Sequence, residues 1–206
     1  MDRISGYKDR ALESLKGKWG SGAIATLLYA LILYAGSTAI SLPFGLDSIA
    51  STIFSNLWTI LCLPLSWGLC VYFLDVARNN QTSYGQLFDG YKDFLRIFVT
   101  YFVYGLIVGF GLVLLIVPGI IFGLMFSQIG YILKDHPEMG IADTLKLSAD
   151  MMKGHKMDYF LLELSFIGWA ILAVCTLGLG FLLLIPYMYT TTAHYYEDLK
   201  KEYQGN

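Results

Sequence analysis

Residues 97–133, IFVTYFVYGLIVGFGLVLLIVPGIIFGLMFSQIGYIL, are 37 consecutive positions without Asp, Glu, Lys or Arg. A membrane crossing needs only about 20 apolar residues. A straight helix of this length, at ~1.5 Å per residue, would measure roughly 55 Å against a hydrocarbon core of ~30 Å. The tract must therefore fold back. Pro118-Gly119 is the expected turn, because proline removes a backbone donor and clashes with the carbonyl four residues earlier, while glycine admits turn conformations. Arg96 and Lys134 flank the tract. Basic residues near span ends favour the cytoplasmic side, so both flanks on one side require an even number of crossings. The second limb, Gly119 to Leu133, is only ~22 Å long if straight. Two readings fit it: a full crossing, or a re-entrant hairpin covered by other helices.

The same arithmetic extends over the chain. Its 206 residues are 56% hydrophobic and 15% charged, far from the quarter-charged average of soluble domains, which marks a membrane protein. Three further uncharged tracts, Trp19 to Leu46, Ser48 to Leu74 and Leu164 to Tyr196, account for the excess. The last splits at Thr176-Leu177-Gly178-Leu179-Gly180. The first two pair across Leu42 to Ser51, where Pro43, Gly45 and Asp47 give a short connection. The expected fold is an all-α polytopic membrane protein with six transmembrane helices as three hairpins and short cytoplasmic amphipathic helices. It forms one integral membrane domain over 1–206, with possible units 1–80, 81–136 and 137–206. All 14 Lys and Arg residues then fall on the side of the termini, which the positive-inside rule makes cytoplasmic. Ser37-Thr38-Ala39 offers a small-residue cleavage pattern, but the charged segment before the first tract is long for a signal peptide, and a retained anchor fits better.

Three junctions resemble one another: LKGKWG at 15–20, FDGYKDF at 88–94 and MKGHKMDYF at 152–160. Each places a glycine shortly before a lysine or an aromatic residue, and Pro64, Pro118 and Pro186 fall in the second member of each hairpin. A weak threefold repeat of interfacial helix plus hairpin is one reading; ordinary membrane-boundary composition is the other. In Ile141 to Lys153, Ala142, Leu145, Ala149 and Met152 share one helical face, which predicts an amphipathic collar helix. The N-terminal segment sets Ile4, Tyr7, Leu12 and Leu15 against Arg3, Lys8, Arg10 and Lys16, a more basic candidate for lipid contact.

Chemistry-bearing residues are sparse. Glu163 is the deepest ionisable group and reads as an interface carboxylate more readily than as a proton carrier. His136, His155 and His194 are scattered, without metal-ligand spacing. Cys62, Cys70 and Cys175 read as small apolar packers. Asp135-His136 and the segment His155 to Asp158 could supply acid and base beside the membrane, although a solvated loop explains them as well. No catalytic, cofactor or metal site is assigned. Asn56, Thr59, Ser66, Thr100, Ser127, Gln128, Ser165 and Thr190 to Thr192 serve either as interhelical glue or as the lining of a polar site. Gly105-x-x-x-Gly109 and Gly119-x-x-x-Gly123 offer close-packing faces. Trp19, Tyr29, Trp58, Tyr101, Tyr131, Tyr159, Trp169, Tyr195 and Tyr196 read as interface anchors. The basic residues do not cluster as a nucleic-acid partner would require.

VPGIIFGLMFSQIGYILKDHPE, SADMMKGHKMDYFLLELSFIGW and TLGLGFLLLIPYMYTTTAHYYEDL, with LKGKWG and the LPLSWG of 63–68, resemble a family of bacterial integral membrane proteins of unknown function found chiefly in Firmicutes. A more distant likeness is to the membrane portion of some glycerophosphodiester phosphodiesterases. The resemblance implies six helices and no accepted activity. The positions it singles out are Pro118, Gly119, Lys153, Gly154, Lys156, Ser165, Phe166, Gly168, Trp169, Gly178, Pro186, Tyr187, Tyr196 and Glu197. The leading expectation is a non-enzymatic module of the bacterial cytoplasmic membrane that binds membrane lipids, another membrane protein or a second copy of itself, in support of a cell-envelope process. A small-solute or lipid transporter or channel is the alternative, and an intramembrane lipid-processing enzyme ranks last.

Overall fold

A computed structural model describes residues 4–45 and 48–205. Asp47, assigned to the first connection, and Arg3, on the basic face of the N-terminal segment, lie outside the described residues. All regular structure among the described residues is helical: α1 (Ile4–Ser14), α2 (Trp19–Ser41), α3 (Ile49–Leu61), α4 (Leu63–Ala77), α5 (Phe94–Leu114), α6 (Ile116–Met125), α7 (Ile129–Asp135), α8 (Ile141–Met151), α9 (Lys156–Leu164), α10 (Ile167–Cys175) and α11 (Phe181–Gly205), with 3-10 segments at Leu42–Phe44 and Tyr84–Tyr91. Five of these helices, taken singly or as adjoining pairs, are long and apolar enough to cross a membrane: Trp19–Phe44, Ile49–Ala77, Phe94–Leu114, Ile116–Asp135 and Lys156–Cys175. The sixth expected crossing falls in α11. There the apolar start is followed by Thr190 to Thr192, His194 and then Glu197 and Asp198 in one continuous helix, so the apolar stretch is short.

α4 is the axis of the bundle. Every residue from Pro64 to Ala77 except Ser66 is buried, enclosed by the Tyr84–Tyr91 segment, α11, α5, α7 and α2. Between apolar helices in a membrane the gain comes from close van der Waals packing, because lipid tails are as apolar as leucine. Glycine supplies that closeness. A Cβ on Gly68 would lie 2.7 Å from Leu87 Cα, and one on Gly90 would lie 2.9 Å from the Pro64 carbonyl carbon. The 3-10 segment thus lies backbone to backbone on α4. Its start is closed by a capping box between Ser83 and Gln86.

Three of the spans are broken, and each break follows one chemical rule. Where a helix is interrupted, carbonyls lose their intrahelical donors and must find others, since lipid offers none. Between α3 and α4, at Cys62, the Tyr91 hydroxyl donates to Leu61 O at 3.3 Å. Between α6 and α7, at Phe126 to Gln128, Ser127 Oγ donates to Leu124 O at 2.9 Å and Ser148 Oγ of α8 donates to Met125 O at 2.9 Å. Between α9 and α10, at Ser165-Phe166, the Ser165 hydroxyl bonds back to Leu162 O, and Lys8 Nζ of α1 donates to Ser165 O at 3.0 Å. Each break is thus closed by a donor from a distant segment.

These contacts revise several sequence expectations. The turn assigned to Pro118-Gly119 lies earlier, at Leu115, which is extended with φ −157° and ψ 135°. Pro118 sits in the first turn of α6, where its missing N–H would have had no helical partner anyway. Gly119 is buried against α5, where a Cβ would meet Leu112 N at 2.6 Å, while Gly105, Gly109 and Gly123 face open space. The close approach therefore pairs Gly111 with Gly119 instead of using either expected four-residue motif. In α8 the buried residues are Thr144, Ser148 and Met151, with Ala142 exposed, because the serine on that face serves the broken span. The N-terminal face packs through Tyr7, Ala11 and Ser14, with Leu15 also buried and Leu12 exposed. Its Lys8 and Arg10 bond to Ser165 O and Asp198. Cys62 and Cys70 are buried, but Cys175 is exposed.

The junctions diverge in the same way. Gly17 and Gly154 adopt left-handed φ of 75° and 81°, a conformation that favours glycine. Gly90 does not, and is required instead by its approach to Pro64. The third break falls in α9–α10, the first limb of its hairpin, whereas Pro186 lies within the continuous α11. The turn at Thr176 to Gly180 does sit where the sequence places it, with φ of 55° at Leu177 and 87° at Gly178.

Candidate functional site

The broken spans converge on a cavity of about 330 Å³. α9 brings Glu163, seven residues past Lys156 and therefore ~10 Å along the helix, together with Tyr159. α5 contributes Tyr101 and Tyr104, α7 contributes Tyr131, and α11 contributes Tyr189. Ser66 and Cys70 of α4, Ser127 at the α6–α7 break and Thr192 of α11 complete the polar lining. The wall is built for precision. Gly130 leaves room for the Tyr101 hydroxyl and Cys70 Sγ, which would lie 2.7 Å and 3.1 Å from a Cβ there. Its carbonyl accepts the Trp67 indole N–H at 3.0 Å. Tyr131 bonds Thr192 Oγ1 at 2.7 Å and stacks on Tyr196 at 4.9 Å, and Ser66 bonds the Tyr29 hydroxyl at 3.0 Å. Tyr159 stands one helical turn before Glu163 and lines the same space. Glu163 is the only acidic or basic residue among those that line the cavity.

A second concavity, about 530 Å³, lies between α1, α2, α10 and α11. Its walls are apolar: Leu12, Trp19, Trp169, Leu172, Leu183 and Tyr187 define its length, with Thr176 and Gly180 at the α10–α11 end. Tyr187 meets Phe166 edge-on at 5.3 Å, and Lys8 Nζ lies 4.3 Å from the centroid of that Phe166 ring. Burial lowers the Lys8 ammonium below its ordinary value.

One end of the bundle is tied by ion pairs. The Asp135 side chain is only 8% exposed. It accepts both arms of the Arg78 guanidinium at 2.8 and 2.7 Å, Lys200 Nζ at 2.7 Å and the Tyr196 hydroxyl at 3.0 Å. Arg78 also donates to Glu197 at 2.8 Å, which links the ends of α4, α7 and α11. Arg96 reaches the carbonyls of Leu133 and His136, both at 3.3 Å, as cations do at helix C-termini. Arg10 grips Asp198 with a two-armed pair at 3.1 and 2.7 Å. Burial pushes the Asp198 carboxyl up, but the Arg10 hydrogen bonds and charge outweigh it and hold the group below its ordinary value.

Of the positions singled out in the sequence, Trp169 and Tyr187 meet in the apolar groove, and Glu197 joins the ion-pair network. Ser165 caps the α9–α10 break. Pro186 is buried beside Gly22, whose Cβ would lie 3.3 Å from the proline ring. Pro118 and Gly119 sit apart, at the α5–α6 turn. Lys153 is exposed beside Asp150, Gly154 supplies the turn into α9, Lys156 opens that helix, and Gly168 is open on its surface. These positions do not form one site. Of the expected interface anchors, Tyr131 is buried and Tyr101 and Tyr159 are half-buried against the cavity, where they are joined by Tyr104 and Tyr189, which the sequence did not single out. Glu163, expected to be an interface carboxylate, is the one residue whose position along its tract could have drawn attention to the cavity. Asp135 is held in ion pairs, and His155 lies 3.3 Å from Glu202. Among the described residues, no three of His, Cys, Asp and Glu are placed to share a metal ion.

No curated protein and no solved structure matches the chain. Residues 106–203, just under half of the chain, match the family described as protein of unknown function (DUF975).

Proposed function

We infer that the chain is a non-enzymatic integral membrane protein of the bacterial cytoplasmic membrane. It makes six crossings as three hairpins with both termini inside, and it binds membrane lipid in support of a cell-envelope process. The topology is supported by all 14 basic residues falling on the side of the termini once the tracts are paired as hairpins. The lipid reading is carried by the groove between α1, α2, α10 and α11, which is apolar along its length and bounded by Trp19 and Trp169. Such a trough accepts an acyl chain, and indoles are the side chains favoured where one end is apolar and the other wet. Native mass spectrometry of protein released gently from its own membrane is expected to retain at least one lipid. Leu183→Trp, at an exposed position in the groove, is expected to reduce that retention severalfold without unfolding the protein. Equal retention by the variant would overturn the groove as the site, and a stoichiometric protein partner without lipid would move the function to partner binding.

A second reading is favoured by the three interrupted spans that each contribute to one cavity holding Glu163 and several hydroxyls. Discontinuous helices around a polar site are the structural pointer to secondary transport. Proteoliposomes are then expected to show saturable, protein-dependent uptake of a small polar solute. Its absence across a solute panel, with folded protein confirmed, would leave the cavity as a static binding site.

A further inference from the structure

We propose that the cavity around Glu163 binds an organic ammonium group, either of a free amine or of a lipid headgroup. The argument starts from charge. Among the described residues Glu163 is the one carboxylate or cationic side chain in the lining, and the rest are hydroxyls, a thiol, aromatic rings, Gly130 and the apolar Ile129 and Met188. A carboxylate removed from bulk water needs a compensating positive charge or several hydrogen bonds. Tyr159 is its neighbour one helical turn away, and among the described residues no lysine, arginine or histidine shares the lining with it. Lys8, which reaches the same helix end, is committed to Ser165 O and does not line the cavity. A cationic guest would supply what the protein does not.

The walls select the kind of cation. Tyr101, Tyr104, Tyr131, Tyr159 and Tyr189 surround the space. Aromatic rings attract a poorly hydrated cation through their electron-rich faces, an interaction that strengthens as water is removed. An alkylammonium pairs that preference with a single carboxylate. A metal ion would look for several oxygen ligands, and the lining offers only one carboxylate. An anion such as phosphate would meet Glu163 and no cation. The volume of about 330 Å³ is within the range of small-molecule sites, ample for a choline-sized molecule or the headgroup of an amino lipid. Trp67 and Ser148, which fix Gly130 O and Met125 O, hold the broken α6–α7 segment against this space, so the site is shaped before a ligand arrives. The inference concerns only what the cavity holds, and it stands whether or not lipid fills the outer groove and whether or not anything crosses the membrane.

The test is binding, not flux. Full-length protein in nanodiscs made of phosphatidylglycerol alone is titrated with choline, with ethanolamine and with 3,3-dimethylbutanol, the uncharged isostere of choline. At least one ammonium compound is expected to bind saturably, and the isostere at least about tenfold more weakly. Glu163→Gln is expected to weaken ammonium binding by about tenfold or more. Tyr104→Leu, which removes an aromatic wall but keeps an apolar side chain, provides a second variant should the first fold poorly, and is expected to weaken binding severalfold. Nanodiscs containing phosphatidylethanolamine separate the two sources: weaker apparent binding of the soluble amine there identifies the lipid headgroup as the occupant, and unchanged binding identifies a free amine. Equal affinity for the isostere would overturn the proposal, as would unchanged ammonium binding in both folded variants or no saturable ammonium binding in either disc.

Discussion

Asp135→Ala is expected to lower the stability of the folded protein by about 3–5 kcal/mol, the cost typical of breaking a buried ion pair from one side. The side chain is nearly inaccessible and is the shared acceptor for Arg78, Lys200 and Tyr196. Its removal takes the acceptor from Lys200 and leaves Arg78 with Glu197 alone, at the meeting point of α4, α7 and α11. The check is the midpoint of denaturant unfolding in micelles. Lys92→Ala serves as the control, because its partner Asp89 is paired with an exposed lysine, and exposed pairs contribute roughly 0–1 kcal/mol. Similar shifts for the two variants would show that the network carries no special weight. A double variant, Asp135→Leu with Arg78→Met, is expected to recover part of the loss, since replacing both charges removes their desolvation along with their attraction; Lys200 remains and limits the recovery.

The second large effect is expected at Gly68. Alanine there directs a methyl group into the backbone of Leu87, and neither chain can yield as a flexible side chain would. Overpacking ordinarily costs about 1–3 kcal/mol, and a clash against main chain belongs at or above the top of that range. The 3-10 segment Tyr84–Tyr91 would be displaced from α4, and with it the Tyr91 hydroxyl that closes the α3–α4 break. Gly105→Ala, which meets nothing within 4 Å, is expected to stay within about 0.5 kcal/mol of the parent. Thermal unfolding of the two variants side by side tests the contrast, and an innocuous Gly68→Ala would show that the segment is not seated on α4 as described.

Much of the architecture was legible in the residues for a simple reason: the spacing of charges and the length of apolar runs are properties of one dimension. The uncharged tracts, the turn at Leu177-Gly178 and the depth of Glu163 could all be counted along the chain. What escaped was set by neighbours. Pro118 reads as a helix breaker until its place in a first turn is known, where the same missing donor is harmless. The tyrosines have the composition of a boundary belt, and nothing in their spacing says that Tyr131 and Tyr196 stack on each other inside the bundle. Ser148 is a polar residue on a helix face that looks solvated. It is buried because a carbonyl in another helix needs a donor, and a periodicity argument holds no information about that carbonyl.

The enclosure of α4 also has a consequence in time. Its buried surface is covered in part by α11, which follows it by about 100 residues. At ribosomal speeds of ~5–20 residues per second, α4 waits on the order of 5–20 s for its last neighbour. Over that interval Asp75 already has Asn80 and Gln86, but the Arg78 guanidinium waits for Glu197 and the α11 flank of the helix stays uncovered. The nascent chain therefore passes through a stage at which one flank of its central helix is still uncovered, and that stage is where insertion machinery or a quality-control protease would meet it.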